Sequence, residues 1–414
     1  MSTRAPFRTC VLAATVLGTL AAACGESKSS DAEATNADGK TGTAPLYAMM
    51  IQIYGTEDRT VYVSLSHTLD ITSTNIEGAR EFPGVANFAA VNGRILVSSG
   101  IEAKITEFDI SNDLEWIEGR SVSFSNYPLF DNANFYYQFI VDSNNALLPY
   151  DGTKRIHWDP SEMVIKGNLE DTTLTPSEPN LLLDPGGNRN GVKYDGSVLQ
   201  AFFYHDSDWY TYGTKSHVIA YNPQTFTEKS VVDIPCPGLS IATRDEQGNT
   251  YFSNWDLPSA SLKGVAPAPC IAKFGPNNEL ISTIDPRSWT GGRFVNNFRY
   301  VGGKKAFANV LHHEALGVSS TTELSDEALS TLGADGPHWK LWLLDIDAGT
   351  GTQVEGIAMQ IAGGAQMATL DGRTFLFVPY QKWGRTKAYE LTSDGKAIAR
   401  FDTAGDVFKW VRVR

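Results

Sequence analysis

The strongest constraint on the fold of this chain is an internal repeat, in which a short apolar strand ends in a turn. Copies of this marker strand recur about every 45 to 70 residues, at 105–109, 155–160, 218–223, 271–276, 341–345 and 387–390. A repeat of this period is typical of an array of small sheets, because one short unit cannot bury its apolar face alone.

A second element precedes each marker strand and consists of a Gly or Asn turn followed by an apolar run. The runs lie at 92–99, 144–150, 195–204, 247–255, 302–311 and 371–380. Turn residues followed by β-branched and aromatic residues are hairpin signals. A further strand precedes the turn, as at 85–91, and another follows the marker strand, as at 280–284. Each unit is therefore predicted to contain four strands.

Four short strands repeated around a ring describe a β-propeller. A first, less regular unit at 47–83, with 60–65 as its second strand, brings the count to seven. The last run, 408–413, has no unit of its own, and we expect it to pair with the first unit and close the ring. The sequence predicts an all-β, seven-bladed β-propeller with four-stranded blades at 46–414. A pair of β-sandwiches is the competing fold, since strand spacing alone also allows it.

The N-terminus has the features of an export signal. Arg4 and Arg8 precede an uncharged apolar stretch, which is shorter than the roughly 20 residues that span a bilayer. The three alanines before Cys24 resemble the lipobox of bacterial lipoproteins, in which the cysteine is lipidated and becomes the mature N-terminus. We therefore expect a lipoprotein signal peptide at 1–23, with an ordinary secretory signal as the alternative.

The segment after the signal peptide is small and polar, which predicts a lipid anchor and flexible linker at 24–45. Gly25 stands where an acidic residue often directs lipoproteins to remain at the inner membrane. The sequence therefore favours the outer membrane over the inner membrane as the location of the lipid anchor in the cell envelope.

The charge of the chain argues against one class of partner. Removal of residues 1–23 deletes two arginines and no acids, so the formal charge changes from −13 to −15. An acidic protein of this kind repels phosphate backbones, and we expect no binding to nucleic acid.

Two of the four cysteines are expected to form a disulfide. Cys10 leaves with the signal peptide and Cys24 carries lipid, which leaves Cys236 and Cys270, 34 residues apart. An oxidising compartment would pair them across a long loop. A metal-binding pair is the alternative, although the two thiols lack CxxC spacing.

Polar and aromatic side chains gather at one aligned position, the end of the second strand of each unit. Loops after the second strands of a propeller open on one face, where they can surround a ligand. Four of the seven histidines, His67, His205, His312 and His313, fall at this position. The predicted ligand-binding residues are His67, Tyr150, Asp151, His205, Asp206, Trp255, Asp256, His312, Glu314 and Tyr380, with Arg293 at the start of an innermost strand.

These residue types suit two kinds of ligand. Imidazole and carboxylate groups bind zinc, iron or copper, and aromatic faces around a mouth suit a flat organic molecule. Arg293 could hold an anionic group, or be a surface charge paired with a nearby acid. Adjacent residues on a strand point to opposite faces, so at most one of His312 and His313 should point inward. The sequence does not identify a cofactor, and a divalent metal or an iron complex is the candidate that these residue types allow.

The sequence contains no GxSxG, HExxH, CxxCH, GxGxxG or P-loop pattern, and no catalytic residue is predicted. The leading hypothesis is a binding protein. A metal-dependent, lactonase-like hydrolase is the alternative, with Asp151, Asp206, Asp256 and Glu314 around a divalent ion and one carboxylate as general base. A structural scaffold that contacts other envelope proteins is a further alternative.

Two segments, 82–86 and 156–167, together with the lipobox, resemble propeller lipoproteins of myxobacteria and their relatives. Those proteins are found beside siderophore-synthesis and TonB-dependent receptor genes. The likeness covers nearly the whole mature chain and rests on structural turns. It implies a non-catalytic accessory role in metal or siderophore uptake, with a metal chelate or a TonB-dependent receptor as partner.

Overall fold

The structure, a computed structural model, describes residues 42–55, 59–74, 76–84, 86–99, 102–127, 139–151, 154–170, 173–174, 177–178, 180–184, 192–194, 196–207, 211–254, 268, 270–316, 337–361, 366–381 and 384–414. The expected signal peptide, Cys24 and most of the linker lie outside these residues. In the described part, no helix is long and apolar enough to cross a membrane. Its helical structure consists of 3-10 turns at Ile76–Gly78, Pro286–Trp289 and His313–Leu316.

The strands form seven antiparallel sheets, the blades of one ring, which confirms the predicted seven-bladed β-propeller. Blade 1 takes β1 (Tyr47–Tyr54), β2 (Arg59–Ser66) and β3 (Arg80–Pro83) from the start of the described chain. Blade 2 contains β4 (Ala86–Val91), β5 (Arg94–Ser99), β6 (Lys104–Ile110) and β7 (Trp116–Ser123). Blade 3 contains β8 (Phe139–Asp142), β9 (Asn145–Asp151), β10 (Lys154–Asp159) and β11 (Val164–Glu170).

Blade 4 has additional short strands on its inner side. It contains β12 (Ser177–Glu178), β13 (Leu181–Asp184), β14 (Val192–Tyr194), β15 (Ser197–His205), β16 (Tyr212–Tyr221) and β17 (Glu228–Ile234). Both β13 and β14 pair with β15, so together they occupy the position that a single innermost strand fills in other blades.

The three remaining blades follow the four-strand order. Blade 5 contains β18 (Leu239–Arg244), β19 (Thr250–Asn254), β20 (Ile271–Phe274) and β21 (Leu280–Ile284). Blade 6 contains β22 (Val295–Gly302), β23 (Lys305–Leu311), β24 (Pro337–Asp345) and β25 (Thr350–Gln353), with β26 (Gln360–Ile361) added beside β24. Blade 7 contains β27 (Gln366–Leu370), β28 (Arg373–Tyr380), β29 (Arg385–Leu391) and β30 (Ala397–Ala404).

The last strand, β31 (Asp406–Arg412), closes the ring as predicted. It pairs antiparallel with β1, so the chain's C-terminal strand is the innermost strand of blade 1. Trp410 of β31 is buried and packs against Phe375 of blade 7, with ring centroids 4.8 Å apart. Closure thus leaves β1 with a paired strand on each side.

The assignment of 60–65 as the second strand of the first unit was wrong. Because β31 occupies the innermost position, β1 is the second strand of blade 1 and β2 (Arg59–Ser66) is the third. Adjacent strands are antiparallel, so the end of β2 lies at the opposite edge of the ring from the ends of the true second strands. This shift of one strand changes the position of His67.

Tight turns connect the first and second strands of several blades. In blade 2, Asn92 and Gly93 have φ angles of 49° and 79°, and in blade 7, Asp371 and Gly372 have 50° and 79°. Two successive positive φ angles are the mark of a type I′ hairpin, which favours Asn or Asp followed by Gly. The turn signals in the sequence therefore correspond to real hairpins.

Buried apolar clusters lie between neighbouring blades rather than inside single sheets. Phe88, Phe108 and Met50 join blades 1 and 2, while Phe375 and Trp410 join blades 7 and 1. Comparable clusters join each of the other five neighbouring pairs. Each blade is therefore held by apolar packing on both sides, as expected for sheets too small to be stable alone.

The predicted disulfide between Cys236 and Cys270 is confirmed, with Cα atoms 5.8 Å apart. Cys236 lies between β17 and β18, where the chain passes from blade 4 to blade 5, and Cys270 directly precedes β20. Both residues belong to the apolar cluster between these blades. The bond therefore joins the start of blade 5 to its third strand.

Candidate functional site

The ring has two faces, which we name by strand direction. Second strands end at the upper face, for example at His205 and Leu311, and innermost strands end at the lower face, for example at Arg244 and Gly302. The sequence predicted a ligand site at the upper face.

His67 does not belong to the upper face. It follows β2, the third strand of blade 1, and therefore lies at the lower face. Its Nδ1 and Nε2 lie 2.6 and 2.8 Å from the carbonyl oxygens of Pro45 and Asn112. The imidazole joins the chain before β1 to the turn after β6, so the alignment of His67 with the other histidines was wrong.

Three predicted residues come together at the upper face of blade 6. His312 Nδ1 lies 3.0 Å from Glu314 Oε1, and Arg293 Nη2 donates to the same oxygen over 3.0 Å. The indole Nε1 of Trp342 lies 3.3 Å from His312 Nε2. Because an indole N–H only donates, Nε2 accepts and the proton of neutral His312 is on Nδ1, directed to Glu314. His312 is buried, and His313 is more exposed.

The charged and titratable side chains of this cluster are paired with one another. Burial lowers the pKa of His312, while Glu314 acts in the opposite direction. Burial raises the pKa of Glu314, but its own backbone N–H, Arg293 and His312 outweigh that and lower the pKa to about 2. Arg293 is therefore paired with an acid. This geometry supports the interpretation of Arg293 as a charge paired with a nearby acid rather than as a group that holds an anionic ligand.

Replacing Arg293 by methionine is expected to raise the pKa of Glu314 from about 2 toward its ordinary 4.5. A carboxyl group whose pKa is lower in the folded than in the unfolded protein stabilises the fold at pH values above its unfolded-state pKa. This stabilisation is lost as the pH falls through the folded-state pKa. Since the Glu314 side chain is 47% exposed, we expect a loss below about 1 kcal/mol at neutral pH. Carboxyl NMR titration measures the pKa, and an unchanged value would contradict the pairing.

His205 occupies a different part of the upper face. Its Nδ1 contacts the carbonyl oxygen of Asp206, and its Nε2 lies 3.6 Å from Asp184 Oδ2 on the inner side of blade 4. The ring also packs beside Phe203 and Tyr212. Blade 5 separates His205 from the His312 group of blade 6, so the two histidines belong to separate local clusters.

Tyr380 points away from the centre of the ring. Its hydroxyl donates to Asp402 Oδ1 over 2.8 Å and accepts from Arg385 Nε over 2.9 Å. Asp402 is on β30, the outermost strand of blade 7, and the tyrosine therefore extends across the blade toward its rim. It is not placed to bind a ligand in the central channel.

The remaining predicted residues are only partly described. Tyr150 and Asp151 end β9, at the upper face as expected, while Trp255 and Asp256 lie outside the described residues. Within the described part of the chain, no three or more His, Cys, Asp or Glu side chains are grouped so that they could hold a metal ion. The described members of the predicted set thus form small pairs and triads on separate blades.

A cavity of about 510 Å³ lies at the lower face instead. Its wall includes Arg244 from β18, Arg299 and Tyr300 from β22, and Met367 and Thr369 from β27. These are the innermost strands of three successive blades, so the cavity occupies the lower part of the central channel. The predicted ligand site lies at the opposite face, and this cavity was not predicted from the sequence.

Arg299 is the most informative residue of this cavity. Arg299 is half-buried, and desolvation lowers the pKa of its guanidinium to about 10. Its Nε donates to Asn297 Oδ1 over 3.1 Å. Arg299 is the only charged residue of β22, and a single charge inside an innermost strand is the signal that could have identified it.

Two charged residues of β31 were also missed. Lys409 Nζ donates to the carbonyl oxygen of Phe88 over 2.6 Å, and burial lowers its pKa to about 8. Asp406 is 3% exposed, and burial raises its pKa to about 7. Asp406 lies opposite Gln52 of β1, and among the described residues neither Asp406 Oδ1 nor Gln52 Nε2 has a hydrogen-bond partner.

Comparison with known proteins supports the propeller fold but does not assign the chain to a family. No protein-family model matches the chain, and no curated protein matches it. A solved structure from Bacteroides fragilis, provisionally assigned as a 6-phosphogluconolactonase, has 12% identity and a TM-score of 0.50, covering 90% of this chain and 99% of its own. One from Bacteroides uniformis with the same provisional assignment has 12% identity and a TM-score of 0.52, covering 89% and 98%. At this identity the likeness shows a shared propeller fold.

Proposed function

We propose that this protein is an envelope-anchored β-propeller that binds a small molecule without transforming it, as an accessory protein in metal or siderophore uptake. The observation that carries the binding role is the channel cavity of about 510 Å³ at the lower face. Sites for small molecules are concave, have volumes of roughly 300–1,000 Å³, and place a few polar groups in a fixed frame. Here the frame is three innermost strands, which are rigid elements of the ring.

The envelope part of the proposal rests on the N-terminal sequence. A basic start, a short apolar stretch and the alanines before Cys24 support export and lipid attachment. The confirmed Cys236–Cys270 disulfide supports an oxidising compartment, because such bonds are rare in the reducing cytosol. Metal or siderophore uptake follows from the resemblance to lipoproteins encoded beside siderophore and receptor genes. We favour outer-membrane attachment.

Native mass spectrometry with elemental analysis, on protein released from its own membranes, tests the proposal. We expect a small organic molecule or an iron complex to be retained by the wild type. Thr369→Trp should abolish retention, because the bulky side chain would project from this exposed position into the cavity and displace a ligand. His205→Ala, at the upper face, is the matched control and should retain the ligand. An empty wild-type protein would contradict the binding role and favour a scaffold.

A lactonase-like hydrolase is the second candidate. It is supported by the two Bacteroides structures, which are provisionally assigned as 6-phosphogluconolactonases and share the propeller fold. The same mass measurement separates the candidates, since a lone divalent ion would favour the hydrolase. Hydrolysis of a δ-lactone by the purified protein, lost on Glu314→Gln, would then establish it and displace the accessory role.

A further inference from the structure

The cavity at the lower face combines positive charge with carboxylates that are already engaged. Arg244 and Arg299 line it together with Asp245 and Glu246. Asp245 accepts from the backbone N–H of Asn249 over 2.8 Å, from the Asn249 side chain over 2.8 Å and from the Tyr251 hydroxyl over 3.0 Å. Its two oxygens therefore brace the turn between β18 and β19.

Glu246 has a similar bracing role between blades 5 and 6. It accepts from the backbone N–H of Gly303 over 3.1 Å and from the Tyr300 hydroxyl. The Tyr300 hydroxyl bond is the largest cause of the lowered pKa of Glu246. Since both acids hold the ends of strands, their positions are set by the fold.

Arg299 lies deeper along β22, opposite Phe307 of β23, and faces the same cavity. Its bond to Asn297 sets the orientation of the guanidinium. A guanidinium is a planar fork of five N–H donors that matches the two oxygens of a carboxylate or phosphate. Because Arg299 is half-buried, its guanidinium would attract an anion in the cavity more strongly than a fully solvated arginine would.

Hydroxyl groups complete the wall. Thr369 and Thr374 both line the cavity, and their Oγ1 atoms share a hydrogen bond of 3.3 Å in which either hydroxyl can be the donor. Because a threonine hydroxyl has one proton, the member of the pair that accepts this bond keeps its own proton for a ligand oxygen. The cavity therefore offers a cationic fork on blade 6 and one hydroxyl donor on blade 7.

We infer that this cavity binds an oxyanion group of a small molecule, a carboxylate or a phosphate, with Arg299 as its principal cation and one hydroxyl of the Thr369–Thr374 pair as hydrogen-bond donor. The inference deepens the proposed function and rests on it only in taking the occupant to be a small molecule. The net charge of −13 opposes the approach of an anionic ligand to this protein. A local cationic site of this kind would therefore be needed for such a ligand to bind.

Isothermal titration calorimetry with citrate and with inorganic phosphate, on the mature full-length chain, tests the inference. We expect at least one of these anions to bind, and Arg299→Gln to weaken it about tenfold or more, as loss of charge-assisted hydrogen bonds implies. Arg293→Gln is the matched control, because Arg293 is also on blade 6 but pairs with Glu314 at the upper face. Binding of citrate alone would identify a carboxylate site, and of phosphate alone a phosphate site.

Arg299→Lys keeps the charge and removes the fork, and it replaces Arg299→Gln should that variant fail to fold by circular dichroism. It should bind with intermediate affinity. Equal affinity in wild type and the Arg299 variants, or no binding of either anion to the wild type, would overturn the inference. If mass spectrometry detects a retained ligand but the Arg299 variants bind anions like the wild type, the inference fails and the proposed function stands. If an anion binds in calorimetry but mass spectrometry detects no retained ligand, the inference stands and the proposed function fails.

Discussion

Replacing Cys236 and Cys270 together by serine is expected to lower the free energy of unfolding by about 4 kcal/mol. The two residues are 34 positions apart, and the chain-entropy relation for a loop of that length gives roughly this value. Both side chains are buried in the cluster between blades 4 and 5, so the variant also places two hydroxyls among apolar groups. Urea unfolding followed by circular dichroism measures the change.

A reducing agent provides the control for this experiment. Dithiothreitol should destabilise the wild type by most of the same amount and leave the double-serine variant unchanged. Cys236→Ala with Cys270→Ala separates the effect of the cross-link from that of buried hydroxyls, because alanine adds no polar group. A loss below about 1 kcal/mol in the alanine variant would show that the bond does not constrain the unfolded chain as this relation requires.

Replacing Asp406 by asparagine is expected to stabilise the protein by up to roughly 4 kcal/mol near pH 7.5, and to have little effect near pH 4. Burial raises the folded-state pKa of this carboxyl to about 7, against an ordinary value of 3.8. A shift of this size corresponds to about 4 kcal/mol. Because the folded pKa is raised, stability is fully present below the unfolded pKa and is lost as the pH rises through the folded pKa.

Urea unfolding at several pH values between about 4 and 7.5 measures this difference. The upper limit avoids titration of Lys409, whose pKa burial lowers to about 8. Asp113→Asn is the matched control, since Asp113 is exposed in the turn before β7. Parallel pH profiles for the Asp406 variant and the wild type would show that Asp406 ionises in the folded ring without a penalty.

The repeat was sufficient to predict the blades because each hairpin is specified locally. Turn pairs such as Asn92–Gly93 and Asp371–Gly372 require positive φ angles, and the flanking strands alternate in side-chain type. The terminal run at 408–413 could be assigned to closure since an unpaired strand must find an edge. The disulfide followed from the counting of cysteines in an exported chain.

The site could not be predicted to the same extent, because it depends on which edge of a blade each loop occupies. His67 and His205 look equivalent in the sequence, yet closure by β31 moves β2 to the third position and His67 to the lower face. His312, Glu314 and Arg293 were predicted as ligand-binding residues, whereas in the structure Glu314 pairs with both His312 and Arg293. Tyr380 turns to the rim to meet Asp402.

The sequence by itself determined the number of blades, the closure of the ring and the pairing of Cys236 with Cys270, because these follow from local turns, alternation and the count of cysteines. Only the tertiary structure decided where the cavity lies and which charges line it. Arg299, Asp406 and Lys409 belong to innermost strands, where burial depends on neighbouring blades distant in the chain. The extent to which a charge is desolvated is a property of the assembled ring, because it depends on packing between blades that are distant in the chain.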